Sequence, residues 1–183
     1  MEEQEIPTEQ LQDKIHEKAE ESMKEEREKW GLYVALSTAC IAVLAAIAGL
    51  LSGHHANEAV IDQIKSSDQW NFYQSKSIKA EIASSTQKIL QGTSGQTKDA
   101  ENDQAIARYE KEKEEIKKVA EEDGASAEKH LATHVTYSKA VTIFQIAIAI
   151  SAIAILTGKR ILWYGGVLLG LVGVIFMLLG ILQ

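Results

Sequence analysis

Apolar and charged positions are almost completely segregated along this chain. Residues 30–52 contain no Asp, Glu, Lys, Arg or His, and neither do residues 161–182. At ~1.5 Å per helical residue, ~20 such residues cross a hydrocarbon layer of ~30 Å. Residues 141–157 are also uncharged; they are shorter, but can recruit Ala140 and Gly158. The pattern predicts three transmembrane helices, at 30–52, 140–158 and 161–182. Between the first two lies a polar stretch, 53–139, that leaves the bilayer and must return to it. The expected fold is therefore all-α, with a long antiparallel helical hairpin inserted between the first and second spans. Its turn is expected near 91–98, where Gln91, Gly92, Thr93, Ser94, Gly95 and Gln96 form a turn-prone run without apolar content. Helix-compatible runs of similar length flank that turn, at 56–90 and 99–137. Ile61, Ile64, Ile78, Ile82 and Ile89 mark the expected inner seam of the first arm, and Tyr109, Ile116, Ala120, Ala127 and Leu131 that of the second. Asp68, Asn71, Ser75 and Asp123 interrupt it, as polar register-setting positions do in coiled coils.

The first arm, residues 1–29, carries eleven acidic against five basic side chains. Pro7 suits a first helical turn, and Leu11, Ile15, Ala19 and Met23 make a thin apolar stripe at four-residue spacing. The polar character of this arm predicts no cleavable signal peptide, so the first span is expected to act as an uncleaved signal anchor. Lys24, Arg27 and Lys29 crowd the entrance to that span, and Lys159 and Arg160 lie in the tight link between the last two. With three spans both clusters share one side of the membrane, which the positive-inside rule makes cytoplasmic. Trp30, Tyr33, Trp163 and Tyr164 fall at the same interface, as an aromatic belt requires. A cytoplasmic N-terminus with a periplasmic hairpin and C-terminus follows.

Small residues are patterned within the spans. Ala35, Ala39, Ala42, Ala46, Gly49 and Gly53 step by four and three. So do Ala147, Ser151, Ala154 and Gly158, and Gly166, Gly170, Gly173 and Gly180 nearly so. Close backbone approach over such faces is how helices associate in lipid, and three small faces exceed what one three-helix bundle requires, which points to a homo-oligomer. Gln145 is the most polar group within a span and is expected to hydrogen-bond another span.

A formal net charge of −7, with no basic stripe, excludes nucleic acid as a natural partner. The single cysteine, Cys40, lies mid-span and forms no intrachain disulfide. Four of five histidines cluster at the membrane end of the polar stretch. If residue 54 faces about 134 across an antiparallel pair, His54, Glu58, His130 and His134 converge into a three-His, one-carboxylate set suited to zinc or another divalent metal; the bland reading is interfacial polarity. Asp68, Trp70, Tyr73, Gln74 and Lys76 form the other candidate, an interaction surface or an oligomer core, since Trp and Tyr are enriched in interface hot spots. Nothing points to catalysis: there is no nucleophile elbow, phosphate-cradling loop or cysteine metal motif. The spans also lack the ionisable side chains that mark coupled transport.

The string SDQWNFYQSKSIK at residues 67–79 resembles the signature of a bacterial membrane-protein family catalogued as domain of unknown function 4337. FQIAI at 144–148, AIAILT at 152–157 and LWY at 162–164 are similar to that family too. The resemblance runs from about Trp30 to the end of the chain. It implies a small inner-membrane protein with several spans and a long helical insert, and brings no activity or cofactor. The expected function is a non-enzymatic, membrane-anchored oligomeric scaffold, free to engage a protein partner. The alternatives are a metal-binding sensor or handling protein and a small oligomeric pore.

Overall fold

The computed structural model describes the backbone of residues 7–94 and 100–183, and the side chains of residues 14–92 and 102–183. The described chain forms three helices: α1, Pro7–Ser94; α2, Ala100–Thr157; and α3, Arg160–Ile181. Pro7 is the only proline and opens α1, where its missing N–H costs nothing. With no later proline, nothing in the sequence breaks α1 before the turn-prone run. Gly92 and Ser94 are still helical; Gly95 and Gln96 lie outside the described residues, as does the side chain of Leu11. Gly158, at φ 67°, ends α2 in the left-handed conformation that glycine adopts without strain.

All three helices are long and apolar enough to cross a membrane, by length and composition. The sequence suggested a terminal arm, a span and a hairpin arm in succession. Instead α1 runs through all three without interruption, and α2 joins the second hairpin arm to the second span. Among the described residues there is no inserted element apart from these helices.

Contacts divide the chain into two units, one of Met1–Gly49 with Ser138–Leu179 and one of Leu50–Tyr137 with Gly180–Gln183. In the first unit, Val34, Ile41 and Ala48 are buried at every seventh residue of α1, and Phe144, Ala147, Ser151 and Ala154 are fully buried on α2. The facing side of α3 is glycine. A Cβ added at Gly166 would lie 2.6 Å from Ser151 Oγ, one at Gly170 2.9 Å from Ile41 Cδ1, and one at Gly173 2.6 Å from Phe144 Cε1. The absence of side chains at these points lets the helices touch, as dispersion packing in lipid demands. Trp163 Nε1 donates to Ser37 Oγ at 3.0 Å, and Arg160 pairs with Glu26 at 3.4 Å, so the starts of α3 and of the apolar part of α1 lie together. Trp163 and Tyr164 rings are 4.9 Å apart; Trp163 and Trp30 are half-buried, Tyr33 and Tyr164 exposed.

The small face expected to pack α1 is not the one used within the chain. Ala35, Ala39, Ala42 and Ala46 are exposed, and Gly49 alone of that set approaches α2, through Val141. The glycines on α3 leave room that Ile41 and Phe144 fill, so α1 turns Ile41 rather than its alanines inward. Gly166, Gly170 and Gly173 do sit in the buried contact. Gln145 points outward.

In the second unit α1 and α2 run antiparallel, with Ser52 beside His134, Asp62 beside Ser126, Ser66 beside Ala120 and Gln87 beside Asp103. The buried residues are small or polar: Ala59, Asp62, Ser66 and Ala80 from α1, and Ala120, Ala127 and Thr133 from α2. Tyr137 is also buried here, against Gly180, where an added Cβ would lie 2.8 Å from the ring.

This overturns the seam expected of the first arm. Ile61, Ile64, Ile78, Ile82 and Ile89 are 45–67% exposed. On the second arm Tyr109, Ile116, Ala120 and Ala127 do face inward, while Leu131 is exposed. The hydrogen bonds explain the choice. Ser66 Oγ reaches the Ala120 carbonyl at 2.8 Å, and Gly124 passes so close that an added Cβ would lie 3.3 Å from Ser66 Oγ. Isoleucine at these positions would hold the helices too far apart for such bonds.

Candidate functional site

A grouping of chemically capable side chains lies in the second unit, spread over about four turns of α1 and about three of α2. His55 Nδ1 and His130 Nδ1 are 2.9 Å apart, a distance at which one nitrogen must donate and the other accept. One proton therefore lies between these two nitrogens. Tyr137 stacks on His55, centroid to centroid at 5.7 Å and 12° from parallel. Burial, and then the neighbouring His130, hold His55 below its ordinary pKa, so its neutral form is favoured. Asp62 Oδ2 stands 4.0 Å from His130 Nε2 and accepts a 2.7 Å hydrogen bond from Ser126. Its other oxygen pairs with Lys65 at 2.8 Å. Those bonds, Lys65 first, hold the Asp62 carboxyl below its usual range and raise Lys65 in turn. One turn nearer the apolar sequence, His134 Nδ1 donates to the Ser52 carbonyl at 2.9 Å.

The expected metal set is not assembled. His54 is exposed and meets only the edge of His55. His130 is engaged by His55 and His134 by Ser52. Among the described residues no group of three or more His, Cys, Asp or Glu could hold a metal ion. The cause is the side of α1 that turns inward: Ser52, Ala59, Asp62 and Ser66 are buried, and at ~100° per residue His54 stands ~200° from Ser52, away from α2. His55 takes the place assigned to His54, and Glu58 lies to one side. Sequence reasoning passed over Ser52, His55, Asp62, Ser66 and Tyr137. The heptad step from Ala59 through Ser66 to Ala80 was the signal that could have found this face.

The tryptophan-centred group is also divided. Tyr73 and Lys76 turn toward α2: Lys76 pairs with Glu112 at 2.5 Å and lies 5.6 Å from the Tyr109 ring. Lys113 is 5.6 Å from the Tyr73 ring. Lys76 holds the Glu112 carboxyl below its ordinary range, and Glu110 holds the Lys113 ammonium above its own. Asp68 and Gln74 are exposed, as is Trp70 (37%), whose ring meets Tyr73 edge-on at 5.5 Å. The other two of the five, Tyr73 and Lys76, are half-buried against α2.

Three helices long and apolar enough to cross a bilayer, with polar residues buried between two of them, point to a helical, membrane-associated protein. The family follows from the sequence: the model described as Domain of unknown function (DUF4337) matches residues 30–183, and the chain belongs to that family. No curated protein and no solved structure matches the chain.

Proposed function

We propose that this protein is a non-enzymatic, homo-oligomeric scaffold anchored in the bacterial inner membrane by three spans, one in each helix. The α1–α2 pair of the second unit then forms a periplasmic helical hairpin, with the N-terminus cytoplasmic and Gln183 periplasmic. The observation that carries self-association is the outward face of the first span. Ala35, Ala39, Ala42 and Ala46 lie exposed at small-residue spacing while Val34, Ile41 and Ala48 make the contacts within the chain. Gln145 gives independent support. It projects from an otherwise apolar stretch of α2, and an amide facing lipid is satisfied by a hydrogen bond from another span. Arg27, Lys29, Lys159 and Arg160 support the cytoplasmic assignment of the end where Glu26 meets Arg160.

The test is the mass of protein extracted into lipid nanodiscs, with Ala39→Leu and Ala42→Leu as interface variants. A multimer that the variants reduce to single chains is expected; a single-chain wild type refutes the reading. For orientation, a thiol placed by Ser94→Cys in a Cys40→Ser background is expected to react with impermeant reagent applied to spheroplasts. Labelling only after lysis reverses the topology.

A further inference from the structure

In the second unit α1 carries two heptad stripes. One, through Ala59, Ser66, Tyr73 and Ala80, faces α2. The other places Ile61, Asp68, Ser75 and Ile82 at one core position and Ile64, Asn71 and Ile78 at the next. The two are offset by two residues, or ~200° of helix rotation, so they lie on nearly opposite sides of α1. The isoleucines of the second stripe are 45–61% exposed. The outer side of α2 is different in kind, bearing Lys111, Glu114, Glu115, Lys118, Glu121 and Glu122, all exposed. Water suits the α2 side; the α1 side is built for another helix.

We propose that the stripe from Ile61 to Ile82 is the seam along which α1 packs in parallel, in register, against α1 of a second copy of this chain. This rests on the membrane-anchored reading above, because copies inserted with one orientation carry the segment in one direction. A seven-residue repeat closed by isoleucines at both ends, Ile61 and Ile64 at one and Ile78 and Ile82 at the other, is matched by a helix of the same repeat. Its centre is polar: Asp68, Asn71, Phe72 and Ser75 line a shallow hollow of about 460 Å³. Only in-register pairing sets polar layer on polar layer; a shift of one heptad drives Asp68 or Ser75 against isoleucine. The hollow admits water to the paired carboxylates, which tempers their repulsion. At its first heptad the stripe borders an apolar groove of about 410 Å³ whose walls include Val60, Ile64, Ala127 and Leu131, widening the apolar footprint. Seven core positions with about as many flanking ones fall short of the ~20–30 residues a side of a standard stable interface. Confinement of the anchored copies to one bilayer makes up the difference through effective concentration.

The test uses full-length protein in native membranes, in a Cys40→Ser background. Ile82→Cys is expected to form a disulfide-linked dimer on mild oxidation, and Lys118→Cys, on the charged side of α2, is not. Ile78→Asp with Ile82→Asp is expected to abolish cross-linking through an Ile61→Cys reporter, with helicity unchanged because both side chains are exposed in the single chain. If extracted protein is multimeric but Ile82→Cys does not link and the aspartates change nothing, this seam is wrong and the oligomeric reading stands. A single-chain wild type removes both. A cross-link from residue 82 to a protein of different mass shows the occupant is not a second copy.

Discussion

Gly173 is the position where the packing argument is most exposed to measurement. An added Cβ there would stand 2.6, 2.7 and 3.1 Å from three atoms of the Phe144 ring, and Phe144 is fully buried, so the ring has little room to retreat. Overpacking of this kind costs ~1–3 kcal/mol. With three ring atoms engaged, the upper half of that range applies. Replacing a helical glycine by alanine returns up to ~1 kcal/mol of backbone entropy. The expected net loss for Gly173→Ala is therefore ~1–2 kcal/mol, or ~5–30-fold in the folding equilibrium. Gly165→Ala isolates the entropic part, since nothing lies within 4 Å of its added Cβ; it is expected to be neutral or stabilising. Phe144→Leu should itself be destabilising, but combined with Gly173→Ala it removes the clash, so the double variant should be more stable than the sum of the two losses. Reversible unfolding in mixed micelles, followed by circular dichroism, gives all four values of the cycle. A Gly173→Ala variant indistinguishable from wild type, or strictly additive losses, would refute the close α2–α3 approach.

Three further outcomes follow from the second unit. Ser66→Ala should cost ~0.5–1.5 kcal/mol, the usual worth of a hydrogen bond. Ser66→Leu should cost more than Ser66→Ala, because it forces α1 away from Gly124; the reverse order in denaturant titrations would place this face elsewhere. Acid should weaken the unit in two stages. His55, held below its ordinary value near 6.5, contributes fully above that value, and its contribution is lost as pH falls through the lowered one. Asp62 and Glu112, also lowered, contribute above the ordinary carboxylate range and lose that contribution only at more acidic pH. Histidine resonances in NMR titration should put the His55 midpoint below 6.5, and a midpoint above it would contradict the His55–His130 pairing. Finally, zinc titration should reveal no saturable binding that His130→Ala or His134→Ala removes; such binding would revive the abandoned four-ligand set.

The spans and glycine contacts were legible in the sequence because each pattern has few physical readings. A run such as 161–182, without charge and with glycine at 166, 170 and 173, has little option but to bring its backbone close to another helix. The first arm was misread because α1 offers two stripes of the same period. Hydropathy selects Ile61, Ile64, Ile78 and Ile82, but the partner within the chain is chosen by whether Ser66 and Asp62 can bond across a narrow gap, which depends on distance rather than hydropathy. The same limit exchanged His55 for His54. Which side of α1 turns inward is set by many small contacts, such as Gly124 against Ser66, and neighbouring residues such as His54 and His55 lie ~100° apart on the helix, so a small rotation exchanges one for the other.

The seven-residue repeat on both sides of α1 has a consequence for how this segment can vary in length. A straight α-helix slips ~20° per heptad against such a repeat, and the slip is equal for both stripes, so one gentle left-handed winding keeps each in phase along its whole course. Losing a single residue between Ser66 and Tyr73 would swing everything beyond it by ~100°, turning one side away from α2 and throwing the proposed seam out of line at once. Natural lengthening or shortening of this rod is therefore tolerable chiefly in whole sevens.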